Sequence, residues 1–130
     1  MMIDEAMAAE RPQPGLPMEL RTKDLLVRRA LLVLQQNLEA PIGVDVLAAK
    51  LDVSRRKLER HFTAAVGLTP SQAGKKIRLT HAELLLERSE RSVTQIAQDT
   101  GFSDVSHLIR VFREANGVTP EVWRSGARGV

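Results

Sequence analysis

An all-α fold of about seven helices, forming two helix-turn-helix subdomains joined by a long linker helix, is what this sequence predicts. Three observations carry that expectation. Residues 52–70, "DVSRRKLERHFTAAVGLTP", return as residues 101–120, "GFSDVSHLIRVFREANGVTP", and both copies contain Ser, Leu-x-Arg-x-Phe and Gly-x-Thr-Pro. Apolar residues make up 43% of the chain but aromatics only 3%, so the interior must come from Leu, Val, Ile and Ala, which suits helices better than a β-sandwich. The punctuation of helices also recurs, with Ser or Thr before a periodic run and Gly after it.

The elements follow in order. In residues 1–21, Pro12, Pro14, Gly15 and Pro17 fall within six residues, which denies a stable helix and predicts an acidic, Pro-rich tail or linker. Thr22 is the expected cap of "KDLLVRRALLVLQQNLEA", with Leu25, Leu26, Leu32 and Leu38 on its apolar side and Pro41 as its stop. Next come a short helix, "VDVLAAKL", a tight turn at Asp52, and "SRRKLERHFTAAV", capped by Ser54 and ended by a left-handed Gly67. These make a first helix-turn-helix at about 43–66. Thr69-Pro70 opens the linker helix, residues 70–88, roughly 28 Å long at about 1.5 Å per residue.

The pattern then repeats at about 92–116. Ser92 caps "VTQIAQDT", Gly101 turns the chain, and "SDVSHLIRVFREAN" runs to Gly117. Thr119-Pro120 begins a last turn around Trp123, and residues 126–130 form a C-terminal tail. The repeat is offset by 49 residues at Ser54/Ser103 and by 50 at Leu58/Leu108, so one extra residue is expected at the start of the second long helix. The domain proper spans residues 22–125.

Charge points to a polyanion. The net charge is +3, but residues 1–19 hold four acidic side chains against Arg11 alone, leaving 18 basic and 12 acidic side chains, or +6, in the rest. The chain has no Cys, hence no disulfide framework and no thiolate chemistry, which suits a cytoplasmic setting. No apolar run approaches the roughly 18 residues of a spanning helix, and no signal peptide is evident, so no membrane is expected. His61, His81 and His107 are too scattered for a metal, and no nucleophile elbow or phosphate loop is present. Glu83 and Glu87 read as a solvated face. No enzyme activity, metal or cofactor is expected.

A short helix, a tight turn and a longer helix can place the longer helix in the major groove, about 12 Å wide. In the first copy Leu58 and Phe62 lie four apart and share a buried face, which turns Arg55, Arg56, Glu59, Arg60 and Thr63 outward. In the second, Leu108 and Phe112 are buried and Val105, Ser106, Ile109, Arg110 and Arg113 face out. Arg60 and Arg110 occupy equivalent places, and Arg is the commonest reader of guanine. Glu59 either accepts from a cytosine amine or pairs with Arg55, Arg56 or Arg60. Lys75 and Lys76 are candidate phosphate contacts. Besides DNA recognition, a protein-binding module built on the same helices is the other function class left open.

The string Gly101-Phe102-Ser103-Asp104-x-Ser106-His107-Leu108-x-Arg110-x-Phe112-Arg113, continuing to Gly117-x-Thr119-Pro120-x-x-Trp123-Arg124, resembles the signature of AraC/XylS-type transcription regulators. Arg78, Leu79, Ala82, Leu85 and Leu86 look like that family's linker helix, and the likeness covers about residues 24–125. "SRRKLERHFTAAVGLTPSQ" looks closest to the branch with a glutamine-amidotransferase-like N-terminal half. The resemblance implies a double-stranded DNA partner read in two successive groove segments, with His107 joining the contact set, and RNA polymerase as a protein partner. It also implies an effector domain absent from this chain, which is then either a C-terminal piece of a larger regulator or a stand-alone binder.

Overall fold

A computed structural model of the chain describes residues 21–127, and the segments expected as tails, 1–20 and 128–130, lie outside the described residues. Among the described residues there are seven α-helices and no strand: α1 (Leu25–Gln36), α2 (Val44–Lys50), α3 (Arg55–Val66), α4 (Pro70–Arg88), α5 (Val93–Asp99), α6 (Val105–Asn116) and α7 (Pro120–Ala127). None of them is long and apolar enough to cross a membrane.

Two cores share one helix. Leu31, Leu34, Leu47, Leu58 and Phe62 pack with Ala73 and Ile77 of the first half of α4. Ile96, Phe102, Leu108, Val111 and Phe112 pack with Ala82 and Leu86 of its second half. Ala73 and Ala82 are nine residues apart, as are Ile77 and Leu86, and nine residues is two and a half turns, or about 180°. The linker therefore buries opposite faces at its two ends, one for each helix-turn-helix.

Most helix boundaries fall where the local chemistry puts them. Ser54, Thr69 and Ser92 accept from the backbone N–H three residues on, and Gly67 and Gly117 close α3 and α6 in the left-handed region. At Thr69 the cap is a full capping box, because the Gln72 side chain accepts from the Thr69 N–H at 3.0 Å.

The first helix differs from expectation at both ends and in phase. Its N-cap is Asp24, whose Oδ1 accepts from Val27 N–H at 3.2 Å, while the buried Thr22 supports it by accepting from Asp24 N–H. The helix ends at Gln36, short of Pro41, with Asn37 folding its side-chain amide back onto Val33 O at 2.8 Å. Val27, Ala30, Leu31 and Leu34 form the buried stripe, leaving Leu25 71% and Leu32 48% exposed. The run is apolar on several sides, so its phase is chosen by what α3 and α4 offer, not by the run itself.

The extra residue also moves. Helices α2 and α5 are offset by 49 residues and α3 and α6 by 50, so the insertion, Ser103, lies in the second turn. Asp104, not Ser103, caps α6, accepting from His107 N–H at 2.8 Å. The final turn is in fact a two-turn helix, α7, packed along α4.

Candidate nucleic-acid interface

Each long helix presents a polar stripe opposite its Leu-Phe face. On α3 the buried residues are Leu58 and Phe62, and on α6 they are Leu108, Val111 and Phe112. Arg56, Arg60 and Thr63 are exposed on the first, and Ser106, Arg110 and Arg113 on the second. Among the described residues no hydrogen bond or ion pair engages the side chain of Arg60 or Arg110, so both guanidiniums keep their donors for a ligand.

Glu59 is what frees Arg60. Its carboxylate accepts from Arg55 Nε at 3.2 Å, one turn back, and Arg55 also reaches Asp45 of α2 at 3.5 Å. The hydrogen bond and charge of Glu59, followed by the charge of Asp45, push the Arg55 guanidinium above its ordinary pKa. Of the partners open to Glu59, the structure selects Arg55. That side chain straps α2 to α3, so its donors are engaged within the protein.

The second stripe is narrower than the sequence suggests. Val105 was expected to face out, but it is half-buried against the second core. His107 is half-buried too: its ring meets Phe102 edge-on at 5.4 Å, and Nδ1 lies 3.2 Å from Ser103 Oγ. Ile109 remains half-exposed and lines a shallow concavity with Ser106, Arg110, Arg113, Glu114 and Gly117. Lys57 is exposed three residues before Arg60 and matches His107 at the 50-residue offset, so carrying the repeat across would have found it.

Glu83 and Glu87 are not a solvated pair. Glu83 accepts from Asn116 Nδ2 and Glu87 from Trp123 Nε1, both at 3.1 Å, tying the end of α6 and the middle of α7 to α4. Arg124 completes the brace by donating to the carbonyls of Leu86 in the last turn of α4, of its C-cap Ser89 and of Arg91 just beyond. In the first unit the corresponding tie is Asp24 Oδ2 to His61 Nδ1 at 2.7 Å. Among the described residues no group of three or more His, Cys, Asp or Glu could hold a metal ion.

Two helix-turn-helix units on opposite faces of a shared helix, each with a free arginine on its longer helix, define a DNA-binding domain of the bipartite kind. Residues 47–126 match the family model described as a helix-turn-helix domain, and the chain belongs to the AraC family of DNA-binding transcription regulators. Among its relatives is the HTH-type transcriptional regulator GbdR of Pseudomonas aeruginosa, 33% identical over 128 residues, which are 97% of this chain and 35% of GbdR. The chain thus spans about a third of the curated relatives it matches. An AraC-type transcriptional regulator from Chromobacterium violaceum superposes with a TM-score of 0.76 at 32% identity, over 80% of this chain and 93% of the other. The DNA-binding domain of AdpA, solved in complex with a target DNA, gives a TM-score of 0.73 at 30% identity, over 78% of this chain and 92% of the other. The relatives are transcriptional regulators, which are not enzymes.

Proposed function

We propose that residues 22–125 read an asymmetric double-stranded DNA site by laying α3 and α6 in two successive major-groove segments. The observation that carries this reading is the equivalence of Arg60 and Arg110, both exposed and both without a partner among the described residues. A helix of 19 residues is about 28 Å long, close to the roughly 34 Å of one DNA turn, so one protomer can serve both segments. Arg60 reads base edges on α3, flanked by Arg56 and Thr63. Arg110 does so on α6, with Ser106 donating or accepting and Ile109 placed for a thymine methyl. Arg113, Lys75 and Lys76 hold phosphates. Glu59 and Arg55 keep the first turn of α3 in shape, Val105 seats α6, and His107 lies at the edge of the contact set. RNA polymerase is the protein partner that follows from regulation of transcription, in a cytoplasmic setting that suits a chain with no Cys.

Binding-site selection from random duplexes tests this. Arg60→Ala should relax base preference in one half of the selected site and Arg110→Ala in the other, about one turn away, each at a cost of roughly 1–3 kcal/mol. Both variants should melt like the wild type, since neither side chain enters a core. Equal weakening of all sequences by both substitutions would mean that the arginines hold phosphates and that specificity lies elsewhere.

A further inference from the structure

The two copies of the turn provide an internal comparison. Backbone at the second turn residue is left-handed in both, with φ 58° at Asp52 and φ 81° at Gly101. Asp52 carries a side chain there and is exposed, so the turn itself accepts a β-carbon. What forbids one at Gly101 lies outside its own helix-turn-helix. A β-carbon on Gly101 would collide with the carbonyl oxygen of Leu38 and stand 2.7 Å from Pro41 Cγ and 3.1 Å from Arg78 Cδ. Leu38 and Pro41 belong to the α1–α2 connection of the first unit, and Arg78 is at the middle of the linker helix. The turn of the second unit is therefore pressed, backbone to backbone, against the first. Burial lowers the Arg78 guanidinium below its ordinary pKa, as expected of a side chain closed into that junction.

We infer that Gly101 is a positioning residue for DNA recognition: the close approach it permits locks the two recognition helices in one relative placement and so sets the half-site spacing that this chain reads. Helix α4 fixes how far apart the units are, and each is seated on its own half of that helix by its own core. The contact at Gly101 adds a direct tie from one unit to the other, which resists rotation of the two about the α4 axis. Two linked readers gain avidity only while both can engage together, and a rigid junction concentrates that gain at one spacing. The inference rests on the two-groove reading above and adds a determinant that touches no DNA.

The test uses the selected site and derivatives in which the half-sites are moved together or apart by one or two base pairs, each step being about 3.4 Å along the duplex. The wild-type chain should prefer one spacing, with binding falling toward that of a single half-site, about 10²-fold weaker, when the spacing changes. Gly101→Asp installs the residue that the first turn already tolerates. It should lose about 10²-fold at the native spacing, shift or flatten the spacing preference, and leave single half-site affinity unchanged. Asp52→Gly should keep the wild-type profile. A folded Gly101→Asp chain with the wild-type spacing profile overturns the inference. If Gly101→Asp does not fold, as judged by its melt, Arg78→Ala decides. It opens the same junction without touching the backbone and should widen the tolerated spacing, and an unchanged profile there overturns the inference equally. A wild-type chain that uses both half-sites but tolerates every spacing overturns the inference, whereas one that gains nothing from the second half-site removes the two-groove reading itself, and both outcomes are seen before any variant is made.

Discussion

At the start of α1 the Asp24 carboxylate meets two demands with its two oxygens. Oδ1 caps the helix through Val27 N–H, and Oδ2 holds His61 of α3 at 2.7 Å, so one side chain ends a helix and joins it to the recognition helix. Burial pushes this carboxyl up, but the hydrogen bond from His61, the Val27 N–H and the His61 charge together outweigh it and leave it below the usual aspartate range. A carboxyl lowered in the folded state contributes stability that is fully present above its unfolded value of about 3.9 and is lost as pH falls through the folded value. Asp24→Ala should cost about 1 kcal/mol or somewhat more near neutral pH, from the cap and the lost tie together. Asp24→Asn keeps a capping oxygen but not the charge. The stability gap between wild type and Asp24→Asn should therefore be widest above pH ~5 and narrow only as pH falls below the unfolded value of about 3.9 toward the lowered folded value. Denaturant titrations of the three proteins from pH 3 to 7 check this, and a gap that stays constant across that range would mean that the carboxylate charge contributes nothing.

At the scale of elements, the two recognition helices are unequal in charge. Helix α3 carries Arg55, Arg56, Lys57 and Arg60 against Glu59, whereas α6 carries Arg110 and Arg113 against Glu114 and starts at an Asp104 cap. Phosphate neutralisation releases counterions, so this asymmetry should appear in the salt dependence. The whole chain, if it makes six or more phosphate contacts, should lose about a thousandfold in affinity between 50 and 200 mM salt. Replacing both Arg56 and Lys57 by Ala should reduce the log-log salt slope by about 2, while Arg110→Ala should reduce it by less than about 1. Titrations at four or five salt concentrations measure both slopes, and equal effects would place the electrostatic footing of the complex on both helices alike.

The same scale shows what the sequence could and could not reveal. Caps are local, so Ser54, Thr69, Ser92, Gly67 and Gly117 were readable from their neighbours and set most helix limits correctly. The repeat exposed the pair Arg60 and Arg110, because a face four residues wide can be counted off a helix. Helix α1 resisted that treatment: residues 25–34 are apolar on more than one side, and only the neighbouring helices select Val27, Ala30 and Leu31 over Leu25 and Leu32. Glu83 and Glu87 looked solvated because their partners, Asn116 and Trp123, stand 33 and 36 residues away. Gly101 was recognisable as a turn glycine, but its contact with the first unit arises from packing across α4 and has no local signature.

For the whole molecule, the two separate cores on opposite faces of α4 predict that damage stays in its own half. Phe62 and Phe112 are equivalent and each is fully buried, one in each core. Replacing either by Ala removes the same buried ring and should cost about 3–5 kcal/mol, a large part of the ~5–15 kcal/mol that stabilises a domain. The consequences differ because the ties differ. Phe112 also meets Trp123 edge-on at 5.5 Å, and Trp123 is bonded to Glu87, so Phe112→Ala loosens α7 and the last turns of α4 along with α5 and α6. None of these residues belongs to the first core, where Val27, Leu31 and Phe62 pack with Ala73 and Ile77. Hydrogen exchange on Phe112→Ala should therefore show protection lost from α5 to α7 and from the second half of α4, with α1 to α3 retaining theirs. The variant should still prefer the half-site read by α3, at single half-site affinity. Phe62→Ala should give the mirror image, sparing α6. Equal loss of protection in both halves from either substitution would show one cooperative unit, with the junction at Gly101 strong enough to unfold the two cores together.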